Sequence, residues 1–273
     1  MAKRRLDTVL TERGLFPSRS RAAASVMAGE VLVGAGRRRA QKPGELVDTA
    51  EALSVEAGAE YASRGGVKLA NALAASGLVV AGRVALDVGA STGGFTDCLL
   101  QRGAAAVVAL DVGYGLLAYS LRRDQRVRVL ERTNARALTP QLLAPALGAL
   151  PAPDLATIDV SFISLEKVLE PVLACLAPGY DVLALVKPQF EVGRERVGKG
   201  GVVREAEDRR AALLAAGAAA LSLGARVRGF LPSGLPGPKG NRETFMWLGD
   251  AAAGVAGAAS AQELEPLARK AEP

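Results

Sequence analysis

The chain reads as an α/β protein: a seven-stranded, doubly wound sheet preceded by a small α+β module. Three observations predict this. From about residue 84 onward, short apolar runs of strand length alternate with amphipathic stretches, the order that builds a parallel sheet covered by helices. The first run ends in a glycine-rich loop that opens a helix, "LDVGASTGGFTDCLL", and ligands in such sheets bind beyond the carboxyl ends of the strands. The first 42 residues hold ten basic residues and three acids, while the remainder holds 24 and 25, so a basic unit precedes a near-neutral one.

The elements follow in order. "RLDTVLTERGL" sets Leu6, Val9, Leu10 and Arg13 at helical spacing, and Gly14 stops the helix. Ser18 caps a second helix with Arg19 and Arg21 near its start and Gly29 at its end. "EVLV" reads as a strand, "GAGRRR" as a turn and "GELVD" as a second strand, so two basic helices are backed by a small hairpin. Beyond them, "RVALDVG", "AAVVALDVG", "RVRVLERTN", "DLATIDVSF", "YDVLALVKP", "RVRGFLP" and "ETFMWLG" are the seven strands. "GGFTDCLLQRG", closed by Gly103, "GLLAYSLRRD", the stretch from Leu165 to Leu176 and "EAEDRRAALLAAGAAALSLG" read as helices, with Pro171 near the start of the third or kinking it. The expected division is a basic module over 1–57, a linker over 58–66, the sheet domain over 67–249 and a mobile tail over 250–273.

Composition excludes several chemistries. With 49% hydrophobic and 23% charged residues the chain has the balance of a soluble globular protein. It shows neither a spanning apolar run nor a secretory leader, and its two cysteines, Cys98 and Cys175, form no metal-binding spacing, so a cytoplasmic protein with no metal and no membrane attachment is expected. There is no histidine, which removes Ser-His-Asp hydrolysis and His-ligated zinc and leaves Lys, Asp, Glu, Tyr or Cys as a general base. The N-terminal concentration of positive charge suits a polyanion such as nucleic acid.

The glycine loop, Gly89-Ala90-Ser91-Thr92-Gly93-Gly94, is not G-x-G-x-x-G. It lacks the spacing that cradles a pyrophosphate, and its glycines instead let the backbone approach a smaller ligand. Asp111 ends the second strand 22 residues after Gly89, where a carboxylate can take both ribose hydroxyls. A nucleoside without a diphosphate points to S-adenosylmethionine as cofactor. The expected contacts are Asp87, Gly89, Ser91, Thr92, Gly93, Gly94, Phe95, Asp111 and Asp159, with Asn134 of "ERTNAR" meeting the adenine. Lys68 in "SRGGVKL", Asp159 ending the fourth strand, Lys187 ending the fifth and Glu243 opening the last put four charges of alternating sign near one sheet edge.

Two resemblances accompany this reading. "RLD", "SRSRAA", "AGEVLVGAG" and "KPGELV", over about residues 4–57, resemble the S4 RNA-binding domain. The resemblance implies contacts to structured RNA, with Arg4, Arg5, Arg19, Arg21, Arg37, Arg38 and Arg39 as the candidate residues. "SRGGVKL", "LDVGASTGGFTDCLLQRGA", "DVGYGLLAYSLR", "VLERTNAR", "DVSFISL", "LVKPQFEVG", "GGVV" and "LPGPKGN", in that order, are similar to the TlyA family. Its members are 16S/23S ribosomal RNA cytidine 2′-O-methyltransferases with an S4 domain and an FtsJ-type, Rossmann-like methyltransferase domain. The resemblance implies S-adenosylmethionine as cofactor, ribosomal RNA or ribosomal subunits as partner, and a catalytic tetrad falling on Lys68, Asp159, Lys187 and Glu243, with Lys187 taking the 2′-hydroxyl proton. Three alternatives stand beside it: a methyltransferase acting on another hydroxyl or on a base, an RNA-binding ribosome-assembly factor without catalysis, and the haemolysin activity after which some members are named.

Overall fold

The computed structural model describes residues 3–27, 30–55, 60–237 and 239–272, in two compact units, Met1–Glu60 and Tyr61–Pro273. The first contains β1 (Lys3–Arg5), α1 (Leu6–Glu12), α2 (Arg19–Met27), β2 (Val31–Val33), β3 (Arg38–Arg39), β4 (Leu46–Asp48) and β5 (Leu53–Val55). The helical spacing does what it should: Leu6, Val9 and Leu10 of α1 pack with Ala22 and Val26 of α2 and with Val31, Val33 and Val47. Gly14 ends α1 at φ +72, and the Ser18 hydroxyl accepts from Arg21 N at 3.2 Å. Gly29, the expected end of α2, lies outside the described residues.

The expected hairpin is different. β2 pairs with β3 and with β5, and β4 pairs with β1, all antiparallel. The cause is the tightness of the turn after β2: Arg37 N donates to Gly34 O at 3.0 Å, so the chain reverses at once and Arg38–Arg39 become the partner strand. A second turn, Glu45 N to Lys42 O at 3.1 Å, then sends "LVD" to a different neighbour.

The second unit contains α3 (Arg64–Ser76), β6 (Val84–Val88), α4 (Gly94–Gln101), β7 (Ala106–Leu110), α5 (Tyr119–Arg122), β8 (Val127–Leu130), α6 (Pro140–Leu147), β9 (Leu155–Ile158), α7 (Glu166–Leu173), β10 (Asp181–Val186), α8 (Pro188–Glu191), α9 (Ala206–Ser222), β11 (Ala225–Pro232), β12 (Thr244–Asp250) and α10 (Ala261–Ala271). The seven strands are ordered β8-β7-β6-β9-β10-β12-β11. β12 alone runs antiparallel to its neighbours. Successive residues of β10 face opposite cores, Val182, Ala184 and Val186 on one side and Leu183 and Leu185 on the other, as a strand buried on both faces requires. Strand order reverses between β6 and β9, which opens a crevice at their carboxyl ends.

Two local readings change and two helices are added. Lys68 sits in a 13-residue helix, α3, one turn after its Ser63 cap. "GLLAYSLRRD" is helical only over Tyr119–Arg122. Helix α6, started by the Thr139 hydroxyl and Pro140, was not expected. The supposed mobile tail carries α10, capped reciprocally by Ser260 and Glu263. Leu264 and Ala268, four residues apart, are buried in the core that α9 covers, and the Glu272 carboxylate pairs with Arg209 at 2.8 Å. The alanine-rich flank hid this face, in which Leu264 and Ala268 are buried and Leu267 and Ala271 pack beside them. Leu264→Ala should therefore cost about 2–4 kcal/mol of stability, read as a lower urea midpoint of the whole protein, whereas a mobile tail would show no change.

Candidate active site

Each strand end delivers one part of the site. After β6 the chain turns at Gly89, φ +87, where a Cβ would strike the carbonyl of Asp159, so only glycine lets this loop lie against the end of β9. Asp159 N continues the ladder by donating to Val88 O at 2.8 Å. At the end of β10, Lys187 is still extended (φ −109, ψ 102) and Pro188 takes the first position of α8. Proline has no N–H to extend the strand and holds the preceding residue out of the helix, which pins the lysine at the rim. Before β12, Gly237 N donates to Asn241 O and Gly240 N to Gly237 O, both at 2.9 Å, folding the loop that presents Glu243. The buried Asn241 side chain accepts from Val203 N at 2.9 Å and donates to Gly201 O at 2.8 Å, tying that loop to the one before α9.

These ends surround one cavity of about 560 Å³, within the size range of small-molecule and cofactor sites. Lys68, Asp159, Lys187 and Glu243 line it together with Gly89, Ser91, Thr92, Gly94 and Phe95 of the glycine loop. The charges form two pairs. Lys68 Nζ lies 2.5 Å from Glu243 Oε2, with the lysine 8% and the glutamate 4% exposed. Lys187 Nζ lies 2.5 Å from Asp159 Oδ1 and donates to Ser161 Oγ at 2.9 Å. Buried pairs of this kind contribute little net stability, since desolvation offsets the attraction. Two of them on one cavity wall point to chemistry. Nearby, Glu191 accepts from Ser164 Oγ at 2.7 Å and Leu165 N at 2.9 Å, fixing α8 to the start of α7. Burial pushes its carboxyl above the usual range.

The rest of the wall was not anticipated. Ser161 and Phe162 follow Asp159, and Gln189 and Phe190 follow Lys187. Phe162 is 91% exposed at φ +65, its ring 5.3 Å from that of Phe190. A large apolar residue held outward in the left-handed region is strained and wet at once, the mark of a side chain placed for a ligand. The signal was present in "DVSF" and "KPQF", which place aromatic residues next to two of the four charges.

Comparison with known proteins now decides the family. The FtsJ-like methyltransferase model matches residues 61–250 and the S4 domain model residues 4–51. The 16S/23S rRNA (cytidine-2′-O)-methyltransferase TlyA of Mycobacterium tuberculosis is 50% identical over 251 residues, covering 91% of each chain. The chain belongs to the TlyA family. Hemolysin A of Brachyspira hyodysenteriae is 39% identical, with 74% of this chain and 81% of that protein covered. The solved structure of a hemolysin-named chain from Streptococcus thermophilus aligns at a TM-score of 0.72 and 39% identity, covering 99% of this chain and 96% of that one.

Four expected cofactor residues of this TlyA-family chain stand off the cavity wall. Gly93, at φ +96, backs onto Leu117 and Leu121. Asn134 uses its side chain to accept from Arg136 N at 3.0 Å and cap a short turn. Asp111 accepts from Ser91 N and Gly113 N, both at 2.7 Å, and so braces the glycine loop from behind. Asp87 is fully buried, accepting from Thr96 Oγ1 at 2.6 Å and Thr157 Oγ1 at 3.0 Å. The S4 arginines are all exposed, and several are already engaged. Arg5 holds Asp7 at 2.7 Å, Arg19 approaches the same carboxylate at 3.5 Å, Arg4 pairs with Glu12 at 2.7 Å and Arg38 with Glu45 at 3.1 Å. The hydrogen bond from Arg5 holds Asp7 down at about 2.

Asp87 yields a test of the loop's support. Burial raises its carboxyl to about 6. The native state therefore binds a proton there more readily than the unfolded chain, and this residue's contribution to stability is fullest below about pH 4 and is lost as the pH rises to about 6. Asp87→Asn should remove that component from the pH dependence of the urea midpoint. Asp87→Ala, which strands two buried hydroxyls, should cost about 2–5 kcal/mol below about pH 4 and less as the pH rises to about 6.

Proposed function

We propose that this chain transfers the methyl group of S-adenosylmethionine to a ribose 2′-hydroxyl of ribosomal RNA, at a cytidine as in the name of its Mycobacterium tuberculosis relative. The observation that carries the reading is the pair of lysine–carboxylate contacts facing the glycine loop across one cavity. Gly89, Ser91, Thr92, Gly94 and Phe95 would hold the cofactor, which would supply an electrophilic methyl group. The residues do the rest. Lys187, acting as the neutral amine, would take up the 2′-hydroxyl proton as the oxygen displaces sulfur from the methyl carbon, and Asp159 at 2.5 Å would stabilise the ammonium that results. Ser161 aims the same nitrogen. Lys68 and Glu243, paired on the same cavity, would help to hold the ribose in position for transfer. Phe162 offers a face on which a base turned out of its stack can lie. The S4 unit supplies affinity through its exposed arginines. Among the described residues no helix is long and apolar enough to cross a membrane.

Two experiments test this. Lys187→Ala should lower methyl transfer to ribosomal RNA by about 10²–10⁴-fold while calorimetry shows cofactor affinity nearly intact. Lys187→Arg should be as inactive, since arginine keeps the charge but gives up no proton; near-wild-type transfer by the arginine variant would make Lys187 a positioning charge only. Deleting residues 1–57 should weaken binding to ribosomal RNA and flatten its salt dependence, with unchanged affinity and slope as the contrary result.

A further inference from the structure

The charge count of the second unit hides a local concentration. Between Val112 and Arg136 there are six arginines and two acids, and both acids are already taken, Glu131 by Arg122 and Asp124 by Arg126. Two other arginines rest on aromatic faces. The Arg132 guanidinium lies 4.3 Å from the centre of the Tyr114 ring, and that of Arg123 lies 5.7 Å from the Tyr119 ring. Both tyrosines are about seven-tenths exposed, and Val112 and Leu116 beside them are exposed as well.

This surface is rigid. Arg132 N donates to Gly113 O at 3.0 Å, Thr133 N to Asp111 O at 3.0 Å and Gly115 N to Glu131 Oε1 at 2.8 Å, so the loop after β7 is stitched to the turn after β8. Arg132 is held at φ +54, a conformation that a side chain other than glycine adopts at a cost. The patch adjoins the active site: Ala118 N donates to Thr92 O at 3.2 Å and Ser91 N to Asp111, while Ser91 and Thr92 line the cavity and the tyrosines do not. β8 is the outer strand of the sheet, so nothing of the sheet lies beyond it.

We infer that the Tyr114–Arg132 and Tyr119–Arg123 stacks form a second RNA-binding surface, on the methyltransferase unit itself, for unpaired nucleotides flanking the target. Exposed tyrosine rings offer stacking faces to bases, and arginines that form no salt bridge among the described residues offer charge to phosphates, the combination that binds single-stranded nucleic acid without reading its sequence. A protein partner would not need this excess of positive charge. The inference rests on the proposed methyl transfer to ribosomal RNA, and it sets the grip on the substrate close to the chemistry as well as in the S4 unit.

The test uses the full chain and protein-free 23S ribosomal RNA as the probe. The variants are Tyr114→Ala/Tyr119→Ala and Arg123→Gln/Arg132→Asn, the asparagine chosen because it tolerates positive φ. All four positions are exposed, so the thermal midpoint should not move. Each double variant should bind the RNA about tenfold more weakly, and the arginine pair should also lower the slope of log affinity against log salt by about one. In methyl transfer, KM for RNA should rise about tenfold while kcat at saturating RNA and affinity for S-adenosylmethionine stay within twofold. Unchanged RNA affinity overturns the inference. So does a loss of cofactor affinity, which would assign the patch to the cofactor site, or a loss of activity on assembled subunits alone with normal binding to free RNA, which would assign it to a protein partner. If the wild-type chain methylates no ribosomal RNA, the functional reading fails, while RNA affinities of the variants still decide the surface.

Discussion

Holding the Lys68 ammonium out of water requires the Glu243 carboxylate within 2.5 Å, and the two residues are 175 positions apart in the chain. That requirement organises much of the second unit. Helix α3 packs Leu69, Ala72 and Leu73 into the core on one face of the sheet and so brings Lys68 in, and the loop before β12 folds back through Asn241 to present Glu243. The second pair, Lys187 with Asp159, needs adjacent parallel strands, since both residues sit just past the carboxyl ends of β9 and β10. Removing one member of a buried pair leaves the other uncompensated, so the arrangement stands or falls as a set.

The sheet supplies the stiffness that such a set demands. β10 is buried along its whole length and is flanked by β9 and β12. The two faces of the sheet carry separate apolar cores, and α9 and α10 close one of them. Asp87, beneath the glycine loop, and Asp111, behind it, spend their carboxylates on holding that loop in shape. Both were natural candidates for ligand contacts, and in the structure both carboxylates accept hydrogen bonds from the protein around that loop.

Charge is divided with similar economy. In the S4 unit, Asp7 and Glu12 tether arginines to fixed positions, which limits the freedom those side chains would lose on meeting RNA. In the methyltransferase unit, tyrosine rings do the same for Arg123 and Arg132. A near-neutral total is therefore a poor guide to where an anion would settle, because a net count sums over faces that point in different directions.

The sequence by itself determined the seven strands, the glycine loop and the four charged residues, because each of these is written locally. Strand runs such as "VLALV" are set by burial on both faces, and proline after Lys187 ends the strand whatever lies around it. Local pattern did not reveal α10, whose short packed face of Leu264, Leu267, Ala268 and Ala271 follows an alanine-rich stretch, or the pairing of β4 with β1 in place of β2. It also could not tell which carboxylates face the cavity. Asp87 and Asp159 look alike as strand-end aspartates, yet Asp87 turns to two threonine hydroxyls and Asp159 to the Lys187 side-chain nitrogen. That difference was left to the tertiary structure, because hydrogen-bond partners of a buried carboxylate come from distant segments, and no local spacing specifies which of them will be near enough to compete with water.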